Sequence, residues 1–252
     1  LLRSEAILGI DLALTDYEST VGWMDEVIAA GERVCLSAAA VHLVMVAQED
    51  AGARRAVEQI VTVPDGVPLV WALRALGHRD ASRVYGPDLM AHYCARAARN
   101  GTPIYLYGGR TDEALVQLTR ALAARFPGLR IAGGWSPPYR PLTDEERHEV
   151  AARINASRAE VVWVGTGQPK QEKWMADMRP LLDAPVLAGV GAAFDFHAGL
   201  VPQAPSWMQR AGLEWSYRLA REPRRLWRRY VAYNPRFVVG FARQYAAYRR
   251  GR

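Results

Sequence analysis

Pro103-Ile104-Tyr105-Leu106-Tyr107-Gly108-Gly109 starts as an unbroken apolar run and ends in two glycines, and Thr111 just beyond carries a helix-capping hydroxyl. A buried strand, a tight turn and a helix N-terminus in that order make the unit of a parallel sheet covered on both faces. The unit recurs along the chain. Glu160–Val164 runs into Gly165-Thr166-Gly167, Val186–Val190 leads into Gly191, and Ile60–Val63 stops at Pro64-Asp65-Gly66. Arg33–Leu36 and Leu129–Ala132 read as further strands. Helical signals fill the intervals. Thr15-Asp16-Tyr17-Glu18 has capping-box spacing for a helix that Gly31 closes, and Thr143 with Glu146 makes a second box. Pro87-Asp88 opens a helix that Asn100-Gly101 stops, and Pro169 suits a first helical turn. The pattern predicts an α/β fold, a mostly parallel sheet with helices on both faces.

Composition narrows the class. The chain has 252 residues, 50% hydrophobic and 23% charged, which excludes a disordered or fibrous protein. Cys35 and Cys94 stand apart in apolar stretches and read as reduced, buried thiols, neither a disulfide nor a zinc site. No apolar run is long enough to cross a bilayer and no signal-peptide pattern opens the sequence, so a cytoplasmic chain is expected. The net charge of +6 is unevenly spread. Between Pro205 and Arg252 lie 12 arginines, no lysine, two glutamates and 10 of the 24 aromatic residues. Residues 205–252 thus form a basic, aromatic-rich tail. Such a tail points to an acidic partner: phosphates, an anionic membrane surface or nucleic acid. Arginine binds phosphate bidentately, whereas lysine acts as a point charge.

In an open α/β sheet, ligands bind beyond the carboxyl ends of the strands. The glycines after the strands let backbone N–H groups approach a diphosphate. Each alone is only a turn signal. No dinucleotide fingerprint in its required context and no P-loop occurs, so the glycines indicate a nucleotide-like ligand at the sheet edge and no more.

Read together, the motifs are more specific. Val63-Pro64-Asp65-Gly66-Val67-Pro68-Leu69-Val70-Trp71 is followed by Arg83-Val84-Tyr85-Gly86-Pro87-Asp88-Leu89-Met90 and Tyr107-Gly108-Gly109. Then come Gly165-Thr166-Gly167-Gln168-Pro169-Lys170-Gln171-Glu172-Lys173-Trp174 and Gly189-Val190-Gly191-Ala192-Ala193-Phe194-Asp195. Ala204-Pro205-Ser206-Trp207-Met208-Gln209-Arg210-Ala211-Gly212-Leu213-Glu214-Trp215 and Glu222-Pro223-Arg224-Arg225 complete the series. This ordered set resembles the WecG/TagA/CpsF family of bacterial glycosyltransferases over nearly the whole chain.

The resemblance implies a Rossmann-like catalytic domain (1–204) with an appendage (205–252) that binds donor diphosphate and membrane. It implies a hexosyltransferase or N-acetylhexosaminyltransferase that moves a sugar, with inversion, from a UDP-sugar to a polyprenyl-diphosphate-linked sugar. The products are exopolysaccharide, teichoic acid or common antigen, made at the inner face of the cytoplasmic membrane. N-acetylmannosamine, its uronic acid and glucose all remain compatible as the donor sugar. A homo-oligomer also stays open.

An inverting transfer needs a base for the acceptor hydroxyl and positive charge or dipoles for the departing UDP. On the resemblance, Asp65 stands at the family's proposed base, although an aspartate in Pro-Asp-Gly by itself reads as a turn residue. Arg83 matches a pocket arginine for phosphate, with a surface ion pair as the plainer reading. Gln171 and Asp195 match pocket positions that read sugar hydroxyls. Gly108, Gly109, Gly165, Gly167, Gln168 and Gly191 form the nucleotide-side loops. Arg218, Arg225 and Arg228 match donor-binding arginines of the appendage, with Arg224 close by. No Asp-x-Asp pair follows a strand, so neither metal nor other cofactor is expected, and arginines or helix dipoles replace Mg²⁺. The family usually carries a polar residue, commonly Asn, two positions before His42. Ala40 stands there, which leaves Ser37 as the nearest substitute contact. In the tail, Met208, Ala211, Trp215 and Leu219 follow helical spacing, and Trp227, Tyr230, Tyr233, Phe237 and Phe241 suit a membrane interface.

Three other readings compete. A nucleic-acid-binding protein would use the tail but leave Asp65, Arg83 and the glycine loops without a role. A catalytically inactive or altered-donor relative, kept as a nucleotide-binding scaffold, rests on Ala40 alone. An oxidoreductase lacks the glycine fingerprint. The transferase ranks first, with a UDP-sugar, a lipid-linked acceptor and an anionic membrane surface as partners and no nucleic acid.

Overall fold

A computed structural model of the chain describes residues 2–251, apart from the side chains of Ser206, Arg210, Arg225, Arg228 and Arg229. The order is β1 (Ser4–Ile7), β2 (Ile10–Ala13), α1 (Tyr17–Ala30), β3 (Val34–Ala39), α2 (Val41–Glu49) and α3 (Ala51–Val57). Next come β4 (Val61–Pro64), α4 (Val67–Ala75), α5 (Gly86–Asn100), β5 (Ile104–Gly108), α6 (Asp112–Arg125) and β6 (Ile131–Trp135). They are followed by α7 (Asp144–Ser157), β7 (Val161–Gly165), α8 (Lys170–Met178), β8 (Val186–Gly189) and α9 (Ala193–His197). The last helices are α10 (Ser206–Arg210), α11 (Glu214–Arg221) and α12 (Pro223–Arg250).

All eight strands form one sheet in the order β1-β2-β4-β3-β8-β7-β5-β6. Only β1 with β2 is antiparallel. The expected α/β architecture with a helical C-terminus is thus the one the chain adopts. The opening hairpin is an addition to it. Leu8 and Gly9 turn it with φ of 51° and 75°, the left-handed pair of a two-residue turn.

Strand side chains alternate between two faces, as the pleat requires. Ile104, Leu106, Val161 and Trp163 point into a core with Trp23, Met24, Tyr93, Leu118 and Phe194. Their neighbours Tyr105, Tyr107, Val162 and Val164 pack on the other face with Ile154, Met175 and Met178. A third cluster covers the hairpin side and holds Ile7, Leu12, Leu43, Leu69 and Leu73 together with Phe237 of α12. Cys35 and Cys94 are free, buried thiols.

Three local expectations need correction. The cap of α1 is Asp16, whose carboxylate accepts from the Ser19 N–H at 2.8 Å; Thr15 instead bonds Thr20. Asp16 occupies the position just before the first helical residue, from which its carboxylate reaches the first free N–H groups. The stripe from Met208 to Leu219 is not one helix, because Gly212 at φ 72° separates α10 from α11. Finally, Tyr233, Phe237 and Phe241 face protein: Phe237 is buried, and the other two pack against its cluster. The Gln244 amide completes that docking. Its nitrogen donates to the Ala6 carbonyl at 2.6 Å, and its oxygen accepts from the Leu8 N–H at 2.9 Å.

Candidate active site

Pairing aligns the carboxyl ends of five strands. Ala39 lies opposite Pro64, Gly189 opposite both Ser37 and Val164, and Gly165 opposite Gly108. Asp65 is the first residue beyond β4. Its N–H and that of Gly66 both donate to the Ala39 carbonyl, at 2.9 and 3.3 Å, which carries the chain over the end of β3 into α4.

Arg83 reaches Asp65 from the connection between α4 and α5. Its Nε donates to the Asp65 carbonyl oxygen. Its Nη2 donates to Glu214 Oε2 at 2.8 Å and, more loosely, to Asp65 Oδ1 at 3.4 Å. The guanidinium lies 4.2 Å from the centre of the Tyr85 ring. Backbone bonds fix this segment: Val84 N–H donates to the Pro64 carbonyl at 2.9 Å, and Tyr85 N–H to the Tyr17 hydroxyl at 3.1 Å.

A cavity of about 120 Å³ opens over the cluster, with Ala40 and Val67 on one wall and Glu214, Trp215 and Arg218 on the other. Burial pushes the Asp65 carboxyl up to about 7; Arg83 opposes that shift, Glu214 adds to it and Arg218 again opposes it. Burial also works against the charge on Arg83, but Asp65 and Glu214 overcome it and hold the guanidinium protonated. The Tyr85 phenol is pushed up by burial and by the same two carboxylates. Arg218 brings its guanidinium to 5.8 Å from the Phe196 ring, and its buried Nε has no hydrogen-bond partner among the described residues.

Asp65, Arg83 and Arg218 therefore converge. Ser37 and Gln171 lie deeper, fully buried. Ser37 Oγ donates to Glu172 Oε1 at 2.6 Å, and Gln171 Nε2 donates to the same oxygen at 2.8 Å. Gln171 Oε1 accepts from the Gly191 N–H at 2.9 Å, so this network ties β3 and α8 to the loop after β8. Gln168 braces the same region by donating to the Ala38 carbonyl at 2.7 Å. Asp195 sits further along the row and receives Arg110 through both its oxygens, at 2.8–3.1 Å.

Gly108 ends β5 at φ 136°, where a Cβ would lie 2.8 Å from the Gly165 backbone. A Cβ on Gly165 would in turn lie 2.5 Å from the Phe194 ring. These glycines are demanded by close approach. Gly109, Gly167 and Gly191 occupy the loops just beyond. Arg224 is exposed on α12, and the side chains of Arg225 and Arg228 lie outside the described residues.

Two participants escaped the sequence reading. Glu214 sits between Leu213 and Trp215 with nothing local to set it apart, and Arg110 follows Gly108-Gly109 with nothing local to mark it. Only tertiary contacts with Arg83 and Asp195 identify them. Among the described residues, no group of three His, Cys, Asp or Glu side chains could hold a metal ion, and no helix is long and apolar enough to cross a membrane. The family model described as Glycosyl transferase WecG/TagA/CpsF family matches residues 5–251.

Proposed function

The chain belongs to the WecG/TagA/CpsF glycosyltransferase family, and from that premise we propose that it transfers a sugar, with inversion, from a UDP-sugar to a polyprenyl-diphosphate-linked sugar. The observation that carries the chemistry is the Asp65 carboxylate, held beside Arg83 in the lining of the strand-end cavity. Asp65 accepts the proton of the acceptor hydroxyl as that oxygen attacks the anomeric carbon. The bond from that carbon to the UDP oxygen breaks on the opposite face, which inverts the centre.

The leaving diphosphate takes its counter-charge from Arg218, whose buried Nε is an available donor, and from Arg224, Arg225 and Arg228. The N–H groups of the loops at Gly108-Gly109, Gly165-Thr166-Gly167-Gln168 and Gly191 add dipoles, so the transfer needs no metal ion or other cofactor. Ser37 and Gln171 act from beneath by fixing the Gly191 loop, and Asp195 with Arg110 borders the sugar. The working location is the inner face of the cytoplasmic membrane. Trp207, Trp215 and Trp227, exposed at 59%, 41% and 48%, lie in the same arginine-rich segment and supply the apolar contact such a surface needs.

The test is UDP release by the full chain with a panel of UDP-sugars and a short-chain polyprenyl-diphosphate-linked sugar, with and without EDTA. Acceptor-dependent release from one donor, unchanged by EDTA, is expected. Release that EDTA abolishes and Mg²⁺ restores removes the metal-free part of the reading, and silence across the panel removes the donor class.

A further inference from the structure

Glu214 is the first residue of α11 and is 8% exposed, a buried carboxylate in a segment whose other charges are almost all positive. Burying a charge is costly unless it is paired, and its partner here is Arg83. The geometry around Arg83 is restrictive. Its Nε is bonded to the Asp65 carbonyl and its plane rests over Tyr85, so Nη2 has two oxygens within reach, one on Glu214 and one on Asp65. It favours Glu214, at 2.8 Å against 3.4 Å.

We propose that Glu214 is a positioning residue for the transfer: it draws the Arg83 guanidinium away from the Asp65 carboxylate and so leaves that oxygen free to take the acceptor's proton. The inference rests on the reading of Asp65 as the base. Were Glu214 neutral, Nη2 would close on Asp65 Oδ1 as a charge-assisted bond, and a carboxylate so paired is a weaker base. Other titratable or charged groups surround Asp65, and one of them, the Tyr85 phenol, also hydrogen-bonds Glu214. They are Tyr85, Tyr17 from α1, His42 from α2, Arg218 from α11, and Tyr230 and Tyr233 from α12. Because Glu214 belongs to the appendage and Asp65 to the sheet, docking of α11 becomes a condition for a competent base, separate from any contact that the appendage makes with UDP.

The experiment compares full-length wild type, Glu214→Gln and Asp65→Asn by UDP release between pH 5 and 9, using the donor and acceptor that support turnover. For Glu214→Gln, the acid limb of kcat is expected to move down by about one pH unit. Its alkaline plateau should fall about three- to tenfold, with the donor KM changing less than about twofold. An acid limb that stays in place, whatever happens to the plateau, overturns the proposal, since loss of packing alone does not leave a weaker base. Should Glu214→Gln fail to fold by thermal melting, Glu214→Asp is read in its place. Its shorter side chain grips Arg83 less well, so its limb moves in the same direction by less. Asp65→Asn separates the two ideas. If it is inactive while the Glu214 variants keep the wild-type limb, only the role of Glu214 fails; if it turns over normally, the base assignment fails and this inference with it.

Discussion

Enclosed at the cavity, the Asp65 carboxyl holds its proton up to about 7, against 3.8 for an exposed aspartate, and that difference acts on rate and stability in opposite senses. A base must be ionised to work, so kcat/KM is expected to rise with pH through an acid limb near 7. Asp65→Asn keeps the shape and removes the proposed base, which should cut transfer by roughly 100-fold or more with little loss of UDP binding. The fold responds the other way. The folded carboxyl binds its proton more tightly than the unfolded one, so stability falls as pH rises from about 4 through about 7. Asp65→Asn should therefore melt at a higher temperature than wild type at pH 8, with the gain fading toward pH 4. An equal melting point at pH 8 would mean that the carboxylate is well solvated, and the raised affinity would have to be abandoned.

Among the elements, the strand-to-glycine junctions decide how closely the site is built. Phe194 of α9 lies flat against Gly165, so Gly165→Ala drives a methyl into a ring that is only 3% exposed. A cost of about 1–3 kcal/mol is expected, seen as a melting point lowered by several degrees. An unchanged melting point would show that α9 shifts freely. The parallel strands were legible because each is a continuous apolar run stopped by glycine or proline. The β1–β2 hairpin was not, because its strands have four residues each and its turn begins with Leu8, a residue that gives no left-handed turn signal. The same contrast divides the site. Asp65 and Arg83 lie in motifs whose order along the chain could be read, whereas the importance of Glu214 depends on a partner 131 positions away. The aromatic run of α12 misled for a related reason: helical spacing gives the face of a helix but not what covers it, and residues 233, 237 and 241 pack on the hairpin side of the sheet.

For the whole molecule, the basic tail is two structures in succession. Within 206–222, Gly212, Glu214, Trp215 and Arg218 cover the cavity, while the later part of α12 is anchored by Phe237, Gln244 and Tyr248, whose hydroxyl donates to the Leu76 carbonyl at 2.5 Å. Pockets that enclose whole small-molecule ligands measure about 300–1,000 Å³, so the proposed nucleotide-sugar exceeds a cavity of about 120 Å³, and its binding is expected to move the segment that covers it. Hydrogen exchange should be faster over 206–222 than over 237–250 and should slow over 206–222 when UDP is added. Equal protection of the two segments would rule out that movement. The Gln244 clasp has a further consequence, in the life history of the molecule. It joins positions 236 residues apart, and contacts so distant along a chain close late. Synthesis at about 5–20 residues per second spends roughly ten to fifty seconds on that interval. Throughout it, the Leu8 N–H and the Ala6 carbonyl wait for the Gln244 amide that pairs them in the folded chain. A nascent chain therefore carries Asp65 long before the residue that clasps the hairpin has been made.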